Sequence, residues 1–232
     1  MTKNVVITGA NRGLGLSLAR ACVAAGFHVI GGCRTPDQAD ELRAIGAEVH
    51  RFDAADFSSI ESFVAGIGDR KVDVLFNSAG VDARAFGAGD TNRGALTISA
   101  EHFEAVMRVN VTGPLLLVER LSAALRAAQG TVVNISSQIG SLAIAQQMSR
   151  DVSYAASKAA LNMVTAKQAQ AFADQGVTVI TMHPGWLRTD MGGPSADLDP
   201  NEAAKQILAT VESLTPEQNG QFLRWNGTVH PW

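Results

Sequence analysis

Short apolar runs alternate with longer amphipathic ones along the whole chain, and few architectures accept that rhythm. A strand buried on both faces of a sheet reads as a nearly unbroken apolar run, and two parallel strands need a crossover long enough to hold a helix. Segments 4–8, 28–33, 48–52, 72–77, 131–135, 177–182 and 221–225 have the first character. Segments near 14–25, 37–45, 56–67, 100–127, 152–175 and 200–213 have the second. In the earliest of these, Leu14, Leu18, Ala21, Cys22 and Ala25 fall at helical spacing, and Gly26 supplies the stop. Gly46, Gly130 and Gly176 repeat that punctuation, so each predicts a helix-to-strand turn. The expectation is an α/β chain: a doubly wound, seven-stranded parallel sheet with helices on both faces. Gly113 and Pro114 interrupt the helix over 100–127, and a proline there withholds a backbone donor, which predicts a kink just after Asn110. No Ser/Gly-rich linker, low-complexity stretch or repeat divides the 232 residues, so one domain, 1–232, is expected.

Composition narrows what such a chain is expected to do. With 46% hydrophobic and 18% charged residues it can bury a core, which excludes disorder. A net charge of -3 gives a nucleic acid no electrostatic footprint. Cys22 and Cys33 cannot build a disulfide framework, and the five histidines, His28, His50, His102, His183 and His230, show no ligand spacing, so no metal is expected. The N-terminal segment enters an apolar run at once, with neither a signal-peptide pattern nor an 18-residue membrane span. A reduced, cytoplasmic location without a membrane partner is the expectation.

The turn after the first strand carries the strongest motif, Thr8-Gly9-Ala10-Asn11-Arg12-Gly13-Leu14-Gly15. Glycines let the backbone turn tightly and approach a diphosphate, whose charge then meets unpaired N–H groups and the positive end of a helix. The spacing differs from G-x-G-x-x-G but does the same work. The turn resembles that of the short-chain dehydrogenase/reductase family, whose single-domain Rossmann fold the predicted sheet would match. Gly9, Asn11, Arg12, Gly13, Leu14 and Gly15 are then the cofactor contacts of this turn.

The end of the second strand discriminates dinucleotides, because an acid there binds a ribose 2′-hydroxyl and an arginine a 2′-phosphate. This chain offers Cys33-Arg34, with Arg12 as a second cation, so NADP(H) is favoured over NAD(H). Asp53 resembles the family's adenine-contacting acid. Asn77-Ser78-Ala79-Gly80 resembles its N-N-A-G motif, placing Asn77, Ala79 and Gly80 beneath the cofactor. His183-Pro184-Gly185-Trp186-Leu187-Arg188-Thr189 resembles its P-G motif, with Thr189 at the nicotinamide carboxamide and Pro184, Gly185 and Trp186 beside it.

Chemistry is expected around the chain's single tyrosine, Tyr154, with Lys158 four residues on and therefore on the same helical face. A phenol of pKa about 10 exchanges protons poorly at neutral pH, and a nearby ammonium lowers it by ~1–3 units. Tyr154 is thereby a general acid for a carbonyl being reduced. The strand over 131–135 ends in Ser136-Ser137, where a hydroxyl can donate to the oxygen gathering charge. By the family pattern Ser137 is the better candidate, with Ser136 as fallback, the spacing to Tyr154 being a little longer than is common there. The resemblance also implies that Asn110 steadies a water-linked relay to Lys158, and that Tyr154, Lys158 and Asn110 contact the cofactor.

The run from His183 to Pro194 and the ending 220–232 look most like the C-factor-like and carbonyl-reductase-like branch. The expected activity is NADPH-dependent interconversion of a carbonyl and a secondary alcohol, with apolar or aromatic ketones or aldehydes as substrates. Trp186, Leu187 and Met191 could wall the pocket, as could Ile139, Leu142, Ile144 and Met148. In this family the helices equivalent to 100–127 and 152–175 form a two-fold bundle, which implies a homodimer or homotetramer. The alternative is a non-catalytic NAD(P)-binding signalling or sensor protein. Halohydrin dehalogenases, with arginine for the lysine and no glycine turn, are set aside by Lys158, Gly9, Gly13 and Gly15.

Overall fold

The structure, a computed structural model, describes residues 2–144 and 151–232. Met148 lies outside the described residues. Seven parallel strands form one sheet in the order β3-β2-β1-β4-β5-β6-β7: β1 (Asn4–Thr8), β2 (His28–Cys33), β3 (Glu48–Arg51), β4 (Val74–Asn77), β5 (Thr131–Ile135), β6 (Thr178–His183) and β7 (Phe222–Arg224). The chain begins at the centre, winds outward to β3, returns to β4 beside β1 and winds outward again to β7. The reversal leaves a crevice at the carboxyl ends of β1 and β4. This is the doubly wound Rossmann arrangement expected.

Alternation along the strands fills both faces. Val5 and Ile7 point to the layer of α1 (Gly13–Ala24) and α8 (Pro200–Glu212), where Leu18, Ile180, Ala204 and Ile207 join them. Val6 points to the opposite layer, with Ile60 and Phe63 of α3 (Phe57–Ile67), Leu117 of α5 (Gly113–Arg120) and Val179. Each such fully buried aliphatic side chain stabilises the fold by about 1.5–3 kcal/mol before entropy is charged against it.

All four glycine-marked helix-to-strand turns are present, one of them with its left-handed residue displaced by one position. Gly26, Gly46 and Gly176 take left-handed backbone at φ 83°, 87° and 73°, as helix stops do. At Gly130 the left-handed residue is its neighbour Gln129 (φ 51°); Gly130 is required by close approach, since a Cβ there would lie 2.3 Å from the Val72 carbonyl oxygen. The kinked helix resolves into α4 (Ala100–Met107), a π-helical segment Arg108–Thr112, α5 and α6 (Ser122–Ala128). In the π segment the Gly113 N–H reaches back to the Arg108 carbonyl, and Pro114 has no N–H to offer the Asn110 carbonyl. The remaining helices are the short α2 (Asp40–Ala44) and the long α7 (Val152–Ala171).

Candidate active site

The helices that start from loops differ in how their first N–H groups are met. α3, α4, α7 and α8 begin under the side chains of Asp56, Ser99, Asp151 and Asp199, each accepting from first-turn N–H groups. α1 begins at Arg12 with no side-chain cap and no acid in its first turn. Its positive end therefore faces the crevice unanswered. Gly9 (φ 66°) and Gly13 (φ 52°) make the turn before it, and a Cβ on Gly15 would lie 2.2 Å from the Gly9 carbonyl oxygen. Asn11 and Leu14 are half-buried beside them.

Two loops close around that turn. Thr8 Oγ1 accepts from the N–H groups of Ser78 (3.1 Å) and Ala79 (3.0 Å), which draws the loop after β4 against Gly9. A Cβ on Gly9 would come within 3.0 Å of Ala79 Cα. The loop after β6 meets Gly13 through the Thr189 methyl and is tied across the crevice by two arginines: Arg12 donates to Asp190 at 3.1 Å, and Arg84 to the Met191 carbonyl at 3.2 Å. Gly185 (φ 89°) leaves room for Leu198, and Trp186, 46% exposed after Pro184-Gly185, donates from Nε1 to the Gly192 carbonyl.

The two expected phosphate readers differ in their surroundings. Arg34 is exposed at the end of β2 and makes no hydrogen bond or ion pair among the described residues. Arg12 is engaged with Asp190, through an exposed pair of small energetic weight. Asp53 accepts from the Ala55 N–H and anchors its own N–H on Ser59 Oγ. Asn77 turns inward: its amide donates to Asn134 at 2.8 Å, and Asn134 donates on to Thr165 and Gln168 of α7. It braces β4 against β5 from within the core.

Asp151 accepts from the Tyr154 N–H at 3.0 Å and starts α7, so that Tyr154 and Lys158 share a face one turn apart. Lys158 is buried at 3% exposure; its ammonium donates to the Ile135 carbonyl at 2.8 Å and lies 5.4 Å from the Tyr154 ring centroid. Burial lowers its pKa to about 8. Tyr154 moves opposite to expectation: burial, then the carboxylates of Asp82 and Asp151, raise its pKa. Desolvation and two anions outweigh the single ammonium, which sits over the ring. The side chain is held as a neutral phenol, a proton donor.

The paired serines separate clearly. Ser136 is buried and donates to Asn162 Oδ1 at 2.7 Å. Ser137 is half-buried, accepts from the Ile139 N–H at 3.4 Å, and has no acceptor for its own hydroxyl among the described residues. Asn110, fully buried in the π segment, accepts from the Val81 N–H and donates to the Val81 carbonyl and to Ser157 Oγ. Ser157 donates in turn to the Tyr154 carbonyl. Thr8, at the head of the glycine motif, thus supports the site, as do Ser157, Asp82 and Asp151, which no motif marked; for these three the helical offset of Ser157, between Tyr154 and Lys158, was the one available signal. Gly80 completes the cradle, since a Cβ there would lie 3.4 Å from Lys158 Nζ and 3.6 Å from Asn110 Oδ1. Leu142, 80% exposed, projects away from any wall.

The uncapped helix start, the glycine turn and the free Arg34 side chain form a surface suited to a dinucleotide phosphate. Comparison with known proteins agrees. The family described as short chain dehydrogenase matches residues 3–199. Among curated relatives, the C-signal of Myxococcus xanthus is 32% identical over 75% of this chain and all of its own length. The 1-hydroxy-2-glutathionyl-2-methyl-3-butene dehydrogenase of a Rhodococcus strain is 30% identical over 98% and 99%. Among solved structures, NADPH-bound carbonyl reductase from chicken fatty liver superposes with a TM-score of 0.90 at 28% identity, covering 100% of this chain and 99% of that one. On the family match and these relatives together, the chain belongs to the short-chain dehydrogenase family of oxidoreductases.

Proposed function

We propose that the protein is an NADPH-dependent carbonyl reductase acting on ketones or aldehydes with an apolar or aromatic body. One observation carries the reading: a neutral, half-buried phenol and a buried ammonium stand one turn apart on α7. A purely binding protein needs no such pair. Bound NADPH would supply the hydride that reaches the carbonyl carbon. Ser137 donates a hydrogen bond to the carbonyl oxygen, Tyr154 delivers the proton, and Lys158 orients the ribose. Asn110 holds the segment after β4 and α7 in fixed relation through Val81 and Ser157. Arg34 and Arg12 receive the 2′-phosphate, Arg12 leaving Asp190 to do so.

The test follows NADPH absorbance with a panel of ketones and aldehydes, for the wild type and Tyr154→Phe. Turnover in the wild type is expected to fall at least ~1,000-fold in the variant, while NADPH affinity stays within a few-fold, because only the transferable proton is lost. A wild type that leaves NADPH unoxidised with every carbonyl of the panel would favour a second reading, a non-catalytic nucleotide-binding signal protein, for which the similarity to C-signal speaks.

A further inference from the structure

A cavity of about 300 Å³ opens at the carboxyl ends of β5, β6 and β7. Gln138 on its wall follows Ser137, and His183 on its wall precedes Pro184-Gly185. Trp186, Trp225 and Leu198 give it flat apolar sides. On its polar side His183 and Arg224 are joined through the buried His230. Arg224 Nε donates to His230 Nδ1 at 3.0 Å, and the His230 ring lies 5.4 Å from that of His183.

His183 is only 5% exposed, yet neither ring nitrogen has a hydrogen-bond partner among the described residues, and Nδ1 is fully buried. An unsatisfied buried polar group of this kind requires an explanation. Burial first, then the fields of His230 and Arg224, lower its pKa to about 3, so the ring is neutral and always carries one N–H. Arg224 forms no ion pair among the described residues, although Asp197 stands on the same cavity wall. The positive field of Arg224 reaches both imidazoles; no carboxylate contributes there. Arg224, exposed and without an ion-pair partner among the described residues, and the neutral His183 ring together offer a charged and an uncharged donor to an anionic acceptor.

We propose that this cavity receives the non-reacting end of the substrate and that this end is a carboxylate, bound by the Arg224 guanidinium and the His183 ring N–H, with an aromatic or branched body between Trp186 and Trp225. The substrate class is an oxo acid, and the inference rests on the carbonyl-reductase reading. Asp197 repels a second carboxylate, so monoanions are favoured over dianions.

Phenylglyoxylate and its methyl ester differ in this one charge. Their binding to the protein with NADP⁺, where no reduction can occur, is measured by calorimetry, and their specificity constants with NADPH by absorbance. The acid is expected to bind more tightly than the ester, and Arg224→Gln to lower the acid-to-ester ratio by about 10-fold or more in both measurements, the scale of a lost charge-assisted hydrogen bond. Arg224→Lys keeps the charge without the fork and is expected to fall between; it also serves if the glutamine form fails to fold. A wild type that prefers the ester or binds neither compound overturns the proposal, as does an unchanged ratio in both variants. Acid selectivity in binding without NADPH oxidation would overturn the reductase reading and leave the subsite standing.

Discussion

Lys158 shows how one side chain is used against its own solvation. Its ordinary pKa of 10.5 falls to about 8 because burial penalises the ammonium. The folded chain therefore holds fewer protons than the unfolded chain between those values, and stability rises with pH through that window. Below pH ~8 the cost is on the order of 3 kcal/mol at 1.36 kcal/mol per unit. Lys158→Met removes it, so the variant's stability relative to wild type should be greatest near pH ~7 and decline by that order as pH passes 10.5; melting curves at the two pH values check this. Arg34 bears on cofactor choice instead. Arg34→Asp is expected to shift the ratio of specificity constants from NADPH towards NADH by ~10-fold or more, since it replaces a phosphate partner by a repelling charge. An equal ratio in both proteins would show that Arg34 does not read the 2′-phosphate. Both residues were legible in the sequence by their offset from a motif. The direction of the Tyr154 shift was not, because it is set first by burial and then by Asp82, from a loop 72 residues away, and by Asp151.

At the scale of elements, the site depends on how closely a turn approaches a helix. The turn Gln138–Gly140 follows Ser137 and lies on α7, where a Cβ on Gly140 would fall 2.7 Å from Lys158 Cβ and from its carbonyl carbon. Backbone and the root of a side chain cannot swing aside. Gly140→Ala should therefore cost about 1–3 kcal/mol in stability and lower kcat more than the KM for NADPH, because it separates Ser137 from Tyr154 while leaving the glycine turn intact. Thermal melts and steady-state kinetics measure the two effects; a variant of unchanged kcat would show that this spacing is not critical. The π-helical segment belongs to the same scale. Pro114 announced an interruption, but whether it would become a bend, a break or a π turn depended on Gly113 meeting Ala54, where a Cβ would stand 2.7 Å from the carbonyl oxygen. Local sequence signals the lost hydrogen bond; the neighbouring chain decides how the helix absorbs it.

Across the whole molecule, Leu115 on α5 and Met163 on α7 remain 41% and 61% exposed, on the helices expected to form a bundle between subunits. Light scattering is expected to give a mass of two or four times 24.4 kDa, and Met163→Glu to shift it towards one. A wild-type mass of one chain would overturn that assignment. Among the described residues no helix is long and apolar enough to cross a membrane, and no cluster of metal-binding side chains forms. The order of strands and helices, the glycine turn and the Tyr154–Lys158 offset were determined by sequence alone, because hydrophobic period, turn chemistry and helical spacing are local properties. Tertiary structure alone decided which serine keeps a free hydroxyl, which arginine is already paired, and that His183 and Arg224 share one wall with His230 in contact with both. Those outcomes turn on burial and on partners distant in the chain, and each side chain's hydration and charge depend on what the fold brings beside it.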